Sequence, residues 1–325
     1  MKTPSQSIAT VFLLLAAVTI DAGNRAKLYP TLHSSQSLTY LIRLRSGKNV
    51  KTESTVAAPM APNSAQLNAR GLLQIAILDA QPSTGKQVLR ARGRFLPLNS
   101  EVARNNQDGQ KSGADAQTAE PSDHAVEFTI ALNGLAQNVN GFEILSSDQQ
   151  QAWQEWLARF AMGWTLPAAG LKPGEKWKSE QAEQASSPIA GLYWTRESVY
   201  VREEPCRAME MSASGEFSQA SGPPETCAVI LTTATLKQNS SSKDATPGDF
   251  KLHGLRTRGT AKGKNEVITY ISLRTGLVVR ATEEANQFMD VVVLKADGSN
   301  RVHYNVGANS HSEVLLVAET PPHHP

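Results

Sequence analysis

Apolar and polar residues alternate along most of this chain, and no other feature constrains its fold as strongly. Residues 37–45 alternate in this way, and Val126, Phe128, Ile130 and Leu132 recur at every second position farther along. Successive side chains of a strand point to opposite faces of a sheet, so this period predicts half-buried strands. We therefore expect a mainly β (α+β) fold of antiparallel curved sheets or half-barrels, with one amphipathic helix rich in tryptophan.

Short turns and polar stretches divide the predicted strands. The first half of the chain is expected to hold strands over 37–45, 71–78, 88–95, 125–132 and 141–145. The second half is expected to hold strands over 191–202, 227–236, 250–258, 266–273, 276–283, 289–296, 300–306 and 313–317. Because glycine is frequent in turns, Ser46-Gly47 is interpreted as a turn and Gly259–Asn265 as the basic tip of a hairpin.

A single amphipathic helix is expected between these two runs of strands, over residues 148–164. The stretch Ser146-Ser147-Asp148 offers an N-cap and places an acid near the positive end of the helix dipole. Apolar residues follow at helical spacing, namely Trp153, Trp156, Leu157, Phe160, Ala161 and Trp164. Such a stripe must face either a core or a partner.

The N-terminus has the parts of a secretory signal peptide. Lys2 supplies a positive start, residues 11–20 form an apolar run, and the small residue Ala22 stands at the expected cleavage site. The run is shorter than the roughly 20 apolar residues that cross a bilayer, and no later segment is apolar enough for a membrane helix. We therefore expect a signal peptide over 1–22 and a mature protein that is soluble and periplasmic or extracellular.

The two cysteines, Cys206 and Cys227, both belong to the part of the chain expected to be exported. Disulfides form and persist in oxidising compartments outside the cytoplasm. Two cysteines alone are too few ligands for a structural metal site. We therefore expect one disulfide between Cys206 and Cys227.

The mature chain is expected to form two β modules joined around the helix. The N-terminal module covers 27–147 and contains a disordered loop over 99–123, where polar and small residues leave hardly any apolar surface to bury. The C-terminal module covers 171–318, and residues 319–325 form a frayed tail.

The charge pattern and the motifs exclude several classes of function. The formal net charge is +2 at pH 7, and the lysines and arginines are scattered along the chain. Nucleic-acid-binding proteins concentrate basic residues on one face, so the pattern argues against nucleic acid. Nucleophile elbows, phosphate-binding loops and histidine pairs at metal-ligand spacing are absent from the sequence. It therefore predicts no cofactor, no metal site and no catalytic residue.

The stretch Leu171-Lys172-Pro173-Gly174-Glu175-Lys176-Trp177 follows the helix. An L-x-P-G-x-x-W stretch in this position resembles a group of uncharacterised bacterial exported proteins, and residues 40–47 and 273–276 are similar to that group as well. The resemblance implies export, but it brings no activity and no site residues. In architecture only, a curved antiparallel sheet with a helix on its concave side is similar to periplasmic lipoprotein carriers.

We expect this protein to bind a ligand rather than to catalyse a reaction. Tryptophan offers a large apolar area, so the aromatic residues are candidates for the wall of a cavity that takes lipid or another apolar ligand, or for contact with an envelope protein. The candidate lining residues are Trp153, Trp156, Phe160, Trp164 and Trp177. A plain core beneath the helix is the other interpretation of the same side chains.

Two other functions stay open at this point. A secreted polysaccharide hydrolase would use a pair of strand-borne carboxylates. The candidates for it are Glu143, Glu197, Glu203, Glu204, Glu283 and Glu284. An interaction module of an envelope assembly would dock through the apolar stripe of the helix, which would then be exposed in the monomer. On the third predicted strand, Arg90, Arg92 and Arg94 share one face. They could contact an anionic ligand or a sugar, but we expect a solvated face on which they pair with acids of a neighbouring strand.

Overall fold

Thirteen strands form one open sheet within the residues that the structure describes. The structure is a computed structural model, and it describes residues 25–55, 60–83, 86–105, 125–182 and 187–317. The strands are β1 (Ser37–Ser54), β2 (Met60–Ser83), β3 (Lys86–Asn105), β4 (Val126–Ile130), β5 (Ala136–Asn140), β6 (Lys176–Ala182), β7 (Leu192–Cys206), β8 (Met209–Met211), β9 (Phe217–Gln219), β10 (Glu225–Gln238), β11 (Leu255–Ser272), β12 (Val278–Lys295) and β13 (Val302–Val317). The helices are α1 (Ser147–Phe160), α2 (Met162–Thr165) and α3 (Gly248–Leu252).

The first and last of these strands lie side by side in the middle of the sheet. The strand order is β5-β4-β3-β2-β1-β13-β12-β11-β10-β7-β6, and β8 and β9 form a small hairpin attached to β13. β1 pairs antiparallel with β13 from Thr39 to Ser54, and β2 covers its other edge. The two β modules expected over 27–147 and 171–318 therefore share one continuous sheet.

The central strands are longer than the alternation predicts. β11, β12 and β13 contain 18, 18 and 16 residues, because each merges two predicted strands. The turn predicted at Ser46-Gly47 and the hairpin tip predicted at Gly259–Asn265 are wrong, since both lie inside strands. A strand with a partner on each side has both rows of backbone groups hydrogen-bonded, so the ladder runs through glycine and polar residues.

Three further predictions need revision. Residues 99–105, expected to begin a disordered loop, form the end of β3 and pair with 64–70 of β2, since ladder hydrogen bonds do not require apolar side chains. The strand expected over 141–145 does not form, because Gly141 has a φ of 82° that turns the chain. Residues 250–252, expected in a strand, belong to α3.

Some predictions concern residues outside the described ranges. They are the signal peptide over 1–22 with cleavage near Ala22, the rest of the loop over 106–123, and the tail over 319–325, and they stay predictions. Among the helices in the described ranges, none is long and apolar enough to cross a membrane.

The helix begins at Ser147, one residue before its predicted start, and its N-cap is Ser146, within the stretch predicted to supply one. The Ser146 hydroxyl accepts a hydrogen bond from the Gln149 backbone N–H, and the Gln149 side chain accepts one from the Ser146 N–H, which completes a capping box. The chain then bends at Ala161 and continues as α2. Gly163 allows a close approach there, because an added Cβ would lie 2.7 Å from Pro30.

The alternation gives the sheet two faces with different roles. We call the face that carries α1 the inner face and the opposite one the outer face. On β1, Tyr40 and Ile42 point inward to the main core beneath α1, whereas Leu41 points outward to a small cluster beneath the β8–β9 hairpin. A third cluster, around Trp194, lies on the inner face beyond the helix.

Candidate functional site

Four of the five predicted lining residues belong to a packed core, which we call the aromatic core. Their exposed fractions lie between 0 and 3%; they are Trp153, Trp156, Phe160 and Trp164. The fifth, Trp177 on β6, is partly buried against the same cluster. The structure thus brings all five predicted residues together, four of them buried and Trp177 partly buried. Their role as ligand lining stays a prediction.

Ring contacts centred on Trp156 hold the aromatic core together. Its ring stacks on Phe160 with centroids 4.5 Å apart. It meets Trp153 edge-on at 5.6 Å and Phe128 of β4 edge-on at 5.5 Å. Aromatic pairs of this kind contribute about 0.5–1.5 kcal/mol each beyond the burial of their area. The apolar stripe therefore anchors α1 to the sheet and is not an exposed docking face, which corrects the expectation of the interaction-module alternative.

The indole N–H groups of the aromatic core differ in their hydrogen bonding. Trp164 donates to the backbone carbonyl of Gln87. The Gln87 side chain in turn accepts from the Leu32 N–H at 2.9 Å and donates to the Leu32 carbonyl at 3.0 Å. The buried N–H groups of Trp153 and Trp156 have no hydrogen-bond partner among the described residues. Because an unpaired buried donor costs about 1–3 kcal/mol, packing supplies the stability of this region.

A buried ion pair marks the end of the aromatic core. Arg159, in the last turn of α1, pairs with Glu283 on the inner face of β12, and their side chains are 11% and 6% exposed. Glu283 also accepts hydrogen bonds from the Asn265 amide and from the Ser312 hydroxyl, the latter at 3.3 Å. Since an unpaired buried carboxylate is strongly unfavourable, this network fixes the C-terminal end of α1 on the sheet.

The outer face carries an open hollow, which we call the outer trough, where β1, β13, β12, β11 and β10 run side by side. Its volume is about 570 Å³, and most of its wall is apolar. The lining residues are Gly47, Asn49, Thr235, Leu236, Lys262, Gly263, Lys264, Asn286, Gln287, Phe288, Gly307, Ala308 and Asn309. Ligand sites in proteins commonly have volumes of about 300–1,000 Å³, so the outer trough has the size of a binding site.

Glycines inside strands contribute to the outer trough. Gly47 and Gly307 occupy outward positions. A Cβ added to Gly307 would find no atom within 4 Å, whereas a Cβ added to Gly47 would lie 2.5 Å from Oδ1 of the Asn309 side chain. At Gly263, a Cβ would point inward to within 2.9 Å of Trp194, so the trough floor there is bare backbone. The register is regular through all three glycines, which excludes a bulge. Interior glycines without a bulge are typical of a bend or of a place where a ligand approaches closely.

An exposed ring and two lysines flank these glycines. Phe288 is 44% exposed, and its partners in the register are Lys262 on β11 and Gly307 on β13. Lys264 lies two residues from Lys262 on the same face, and both are exposed. Neither lysine has an ion-pair partner among the described residues. The outer trough thus places an apolar surface beside unpaired positive charge.

None of the six glutamates considered for hydrolysis lines the outer trough, although Glu284 lies outward on β12 at one end of it. Five of the six interact with other side chains: Glu197 with Lys178, Glu203 with Tyr200, Glu204 with Arg202, Glu283 with Arg159, and Glu284 with His311. The sixth, Glu143, is exposed in the loop after β5. Among the residues that the structure describes, none of those lining the trough is acidic, whereas a glycosidase uses two carboxylates.

The expected pairing of the arginines on β3 is confirmed for two of them. Arg90 and Arg92 both lie within ion-pair distance of Glu127 on β4. The hydrogen bond from Arg92, together with the charge of both guanidinium groups, holds the pKa of Glu127 below its usual value. These two side chains form a solvated ion-pair network rather than an anion site.

The expected disulfide is also confirmed. Cys206, at the end of β7, is bonded to Cys227 near the start of β10, with their Cα atoms 5.8 Å apart. The bond closes the segment that contains the β8–β9 hairpin. That hairpin rests on the outer face, where the Arg70 guanidinium lies 5.1 Å from the centre of the Phe217 ring.

Sequence reasoning missed the outer trough because its residues fall in stretches predicted as turns or gaps. Gly47 and Gly263 were placed in turns, and 307–309 lay between two predicted strands. The odd or even numbering of the apolar positions could have indicated that the strand continues through the glycine. On β1, inward residues keep even numbers on both sides of Gly47, as Leu44 and Val50 show, and one uninterrupted strand is the simplest explanation of that continuity.

Comparison with protein-family models and with curated proteins finds no match. Among solved structures, a lipovitellin studied for lipid–protein interactions is similar, with a TM-score of 0.42 and 10% identity over 91% of this chain, which spans only 26% of the lipovitellin chain. A candidate lipoprotein from Parabacteroides distasonis has a TM-score of 0.28 and 6% identity, with 90% of this chain and 98% of that chain covered. A candidate exported protein with a YmcC-like fold from Bacteroides fragilis has a TM-score of 0.23 and 8% identity, with 90% and 97% covered. At scores this low the likeness supports no inference about this chain.

Proposed function

We propose that this protein is exported and binds an apolar, chain-like ligand in the outer trough without chemical reaction. The observation that carries the proposal is the trough itself, with a mostly apolar wall and the exposed ring of Phe288. Covering apolar surface contributes roughly 25 cal/mol per Å², so a hydrocarbon chain gains free energy by lying there. The apolar run at residues 11–20 supports the part of the proposal that concerns export.

The shape of the outer trough favours an elongated ligand over a compact one. The hollow crosses neighbouring strands from Gly47 on β1 through Gly307 and Phe288 to Gly263 and Leu236. Strands lie about 4.8 Å apart, so a site that crosses five of them extends across the sheet rather than forming a closed cavity. A single flexible chain fits such an open path.

Direct titration with two ligands of equal chain length tests the proposal. We expect the purified mature protein to bind dodecanol or dodecyl phosphate, measured by calorimetry below the concentration at which either ligand aggregates. The variant Gly307→Phe places a ring in the open space above the trough floor, and we expect it to weaken binding at least tenfold.

The matched control is Gly222→Phe, which adds the same ring where a Cβ also finds no atom within 4 Å, in the segment between β9 and β10. This control should bind as the unmodified protein does. Replacing a strand glycine by an aromatic residue favours the strand, so Gly307→Phe should stay folded. Binding of neither ligand, or equal binding by Gly307→Phe, contradicts the proposed function.

A further inference from the structure

We infer that the outer trough selects a ligand with an anionic headgroup, held by Lys262 and Lys264 while its chain lies against Phe288. This inference rests on the proposed function and narrows it to single-chain amphiphiles that carry a phosphate or a carboxylate. The lining supplies the first argument, because within the described part of the chain its charged side chains are these two lysines alone.

Further basic residues extend the positive charge beyond the lining. Arg258 lies on the same outward row of β11 as the two lysines, and Lys237 points outward from the neighbouring β10. All four side chains are exposed, and none of the four has an ion-pair partner among the described residues. Unpaired cations grouped beside an apolar hollow attract and orient an anionic group.

The nearest acidic residues lie on the same face, outside the lining of the trough. Glu266 follows the lysines on β11, and Glu284 and Asp290 lie outward on β12 at the two ends of the trough. Glu284 is bonded to His311 at 2.7 Å and Asp290 to His303 at 2.9 Å. None of the three acids lines the trough, so the charge of its lining stays positive.

Neutral amides complete the polar side of the site. Asn49, Asn286 and Asn309 line the trough at outward, exposed positions. Their side-chain NH₂ groups can donate hydrogen bonds to phosphate or carboxylate oxygens. A wholly apolar ligand would remove water from these amides and from the lysines without replacing its hydrogen bonds, which is unfavourable. A headgroup rich in acceptor oxygens avoids that loss.

Three ligands separate the contributions of chain and charge. We expect dodecyl phosphate to bind the mature protein at least tenfold more tightly than dodecanol at low ionic strength, and inorganic phosphate to bind far more weakly than either. The preference for dodecyl phosphate should shrink as salt is added, because exposed charges are screened.

Charge-neutral variants test the two lysines. The double variant Lys262→Gln/Lys264→Gln should lose about tenfold in affinity for dodecyl phosphate and keep its affinity for dodecanol. The variant Lys262→Arg/Lys264→Arg should retain the preference. Lys176→Gln/Lys243→Gln removes the same charge elsewhere and should change neither affinity.

Each contrary outcome has a distinct meaning. Equal binding of dodecanol and dodecyl phosphate overturns the headgroup inference and leaves the proposed function standing. Loss of the preference in the Lys176/Lys243 control shows that net charge alone acts, and it also overturns the inference. Inorganic phosphate bound as tightly as dodecyl phosphate would make the site one for free anions and would overturn the inference together with the proposed function. Absence of binding by both alkyl ligands has the same double consequence.

Discussion

The aromatic core and the outer trough occupy opposite faces of one sheet and follow opposite design principles. In the aromatic core, large side chains fill the space under α1, and Trp156 is 0% exposed. In the outer trough, Gly307 leaves open space, and Phe288 is 44% exposed. The first region has the character of a stabilising core and the second that of an open surface with an exposed apolar ring.

This contrast teaches that aromatic residues concentrated in sequence do not by themselves mark a binding site. The tryptophans of α1 meet one another because the helix must bury its apolar stripe on the inner face. The outer trough instead arises where side chains are missing from central strands. The open space therefore lies beside Gly307 and Phe288 rather than at the segment richest in aromatic residues.

The sharpest way to break the comparison is to truncate one aromatic side chain in each region. We expect Trp156→Ala to lower the free energy of unfolding by about 3–5 kcal/mol, because it leaves a large cavity. We expect Phe288→Ala to change it by less than about 0.5 kcal/mol, because the ring is on the surface. Urea denaturation of both variants measures the difference, and equal losses would contradict the division into core and ligand surface.

The ion pair at the end of the aromatic core offers the next largest effect. We expect Arg159→Met to destabilise the protein by about 3 kcal/mol or more, since Glu283 is then left buried and unpaired. The double variant Arg159→Met/Glu283→Met should recover much of that loss, because no charge stays buried. Thermal denaturation of the two variants checks this expectation; a double variant as unstable as the single one would show that the helix end is held by other contacts.

The disulfide should contribute stability without affecting the outer trough. The disulfide closes a loop with a sequence separation of 21 residues. Because it restricts the unfolded chain, a cross-link of this span raises the free energy of unfolding by about 3 kcal/mol in the chain-entropy model. We expect Cys206→Ser/Cys227→Ser to lose up to that amount in urea denaturation while binding dodecyl phosphate normally. Weaker ligand binding by this variant, measured at a temperature where it is folded, would show that the β8–β9 hairpin affects the trough. It would contradict the independence of the two regions.

The smallest expected effect is on the free energy of unfolding at alkaline pH. It involves Tyr200 of β7, which is buried in the same cluster as Trp153 and Trp156. Burial, followed by the hydrogen bond that Tyr200 donates to Glu203, raises the pKa of Tyr200 above its usual value of 10.0. Above that pH the unfolded state loses this proton while the folded state keeps it, so stability falls as pH rises. We expect Tyr200→Phe to reduce the slope of stability against pH above pH 10, measured by urea titrations. An unchanged slope would assign the alkaline loss to other groups.

Local sequence patterns could predict the strands and the helix, but not the positions where a face of the sheet lacks side chains. The N-cap at Ser146, the stripe from Trp153 to Trp164 and the disulfide follow from spacing and compartment alone, and the structure agrees. Strand length was underestimated because a glycine in a central strand has the same local appearance as a glycine in a turn. Whether a glycine lies in a strand or in a turn depends on strands that are distant in sequence. Gly47, for example, pairs with Asn309 of β13.

The outer trough depends on register, which local sequence cannot supply. Gly307 faces Phe288 only because β12 and β13 pair with those residues opposite each other. A shift of one residue would turn every side chain of a strand to the other face. Lys262 and Lys264 can be identified in the sequence, but only the pairing of β11 with β12 shows that they lie beside Phe288.

Mapping the ligand directly is the decisive measurement for the claim that the outer trough, and not the aromatic core, binds the ligand. The protein is irradiated with a dodecyl phosphate that carries a diazirine on its chain, and the labelled residues are located by mass spectrometry. We expect labels on outer-face residues that line the trough, such as Phe288 and Asn309, and their loss in Gly307→Phe. Labels concentrated on Trp153, Trp156 and Phe160 would contradict the account and return the ligand to the space beneath α1.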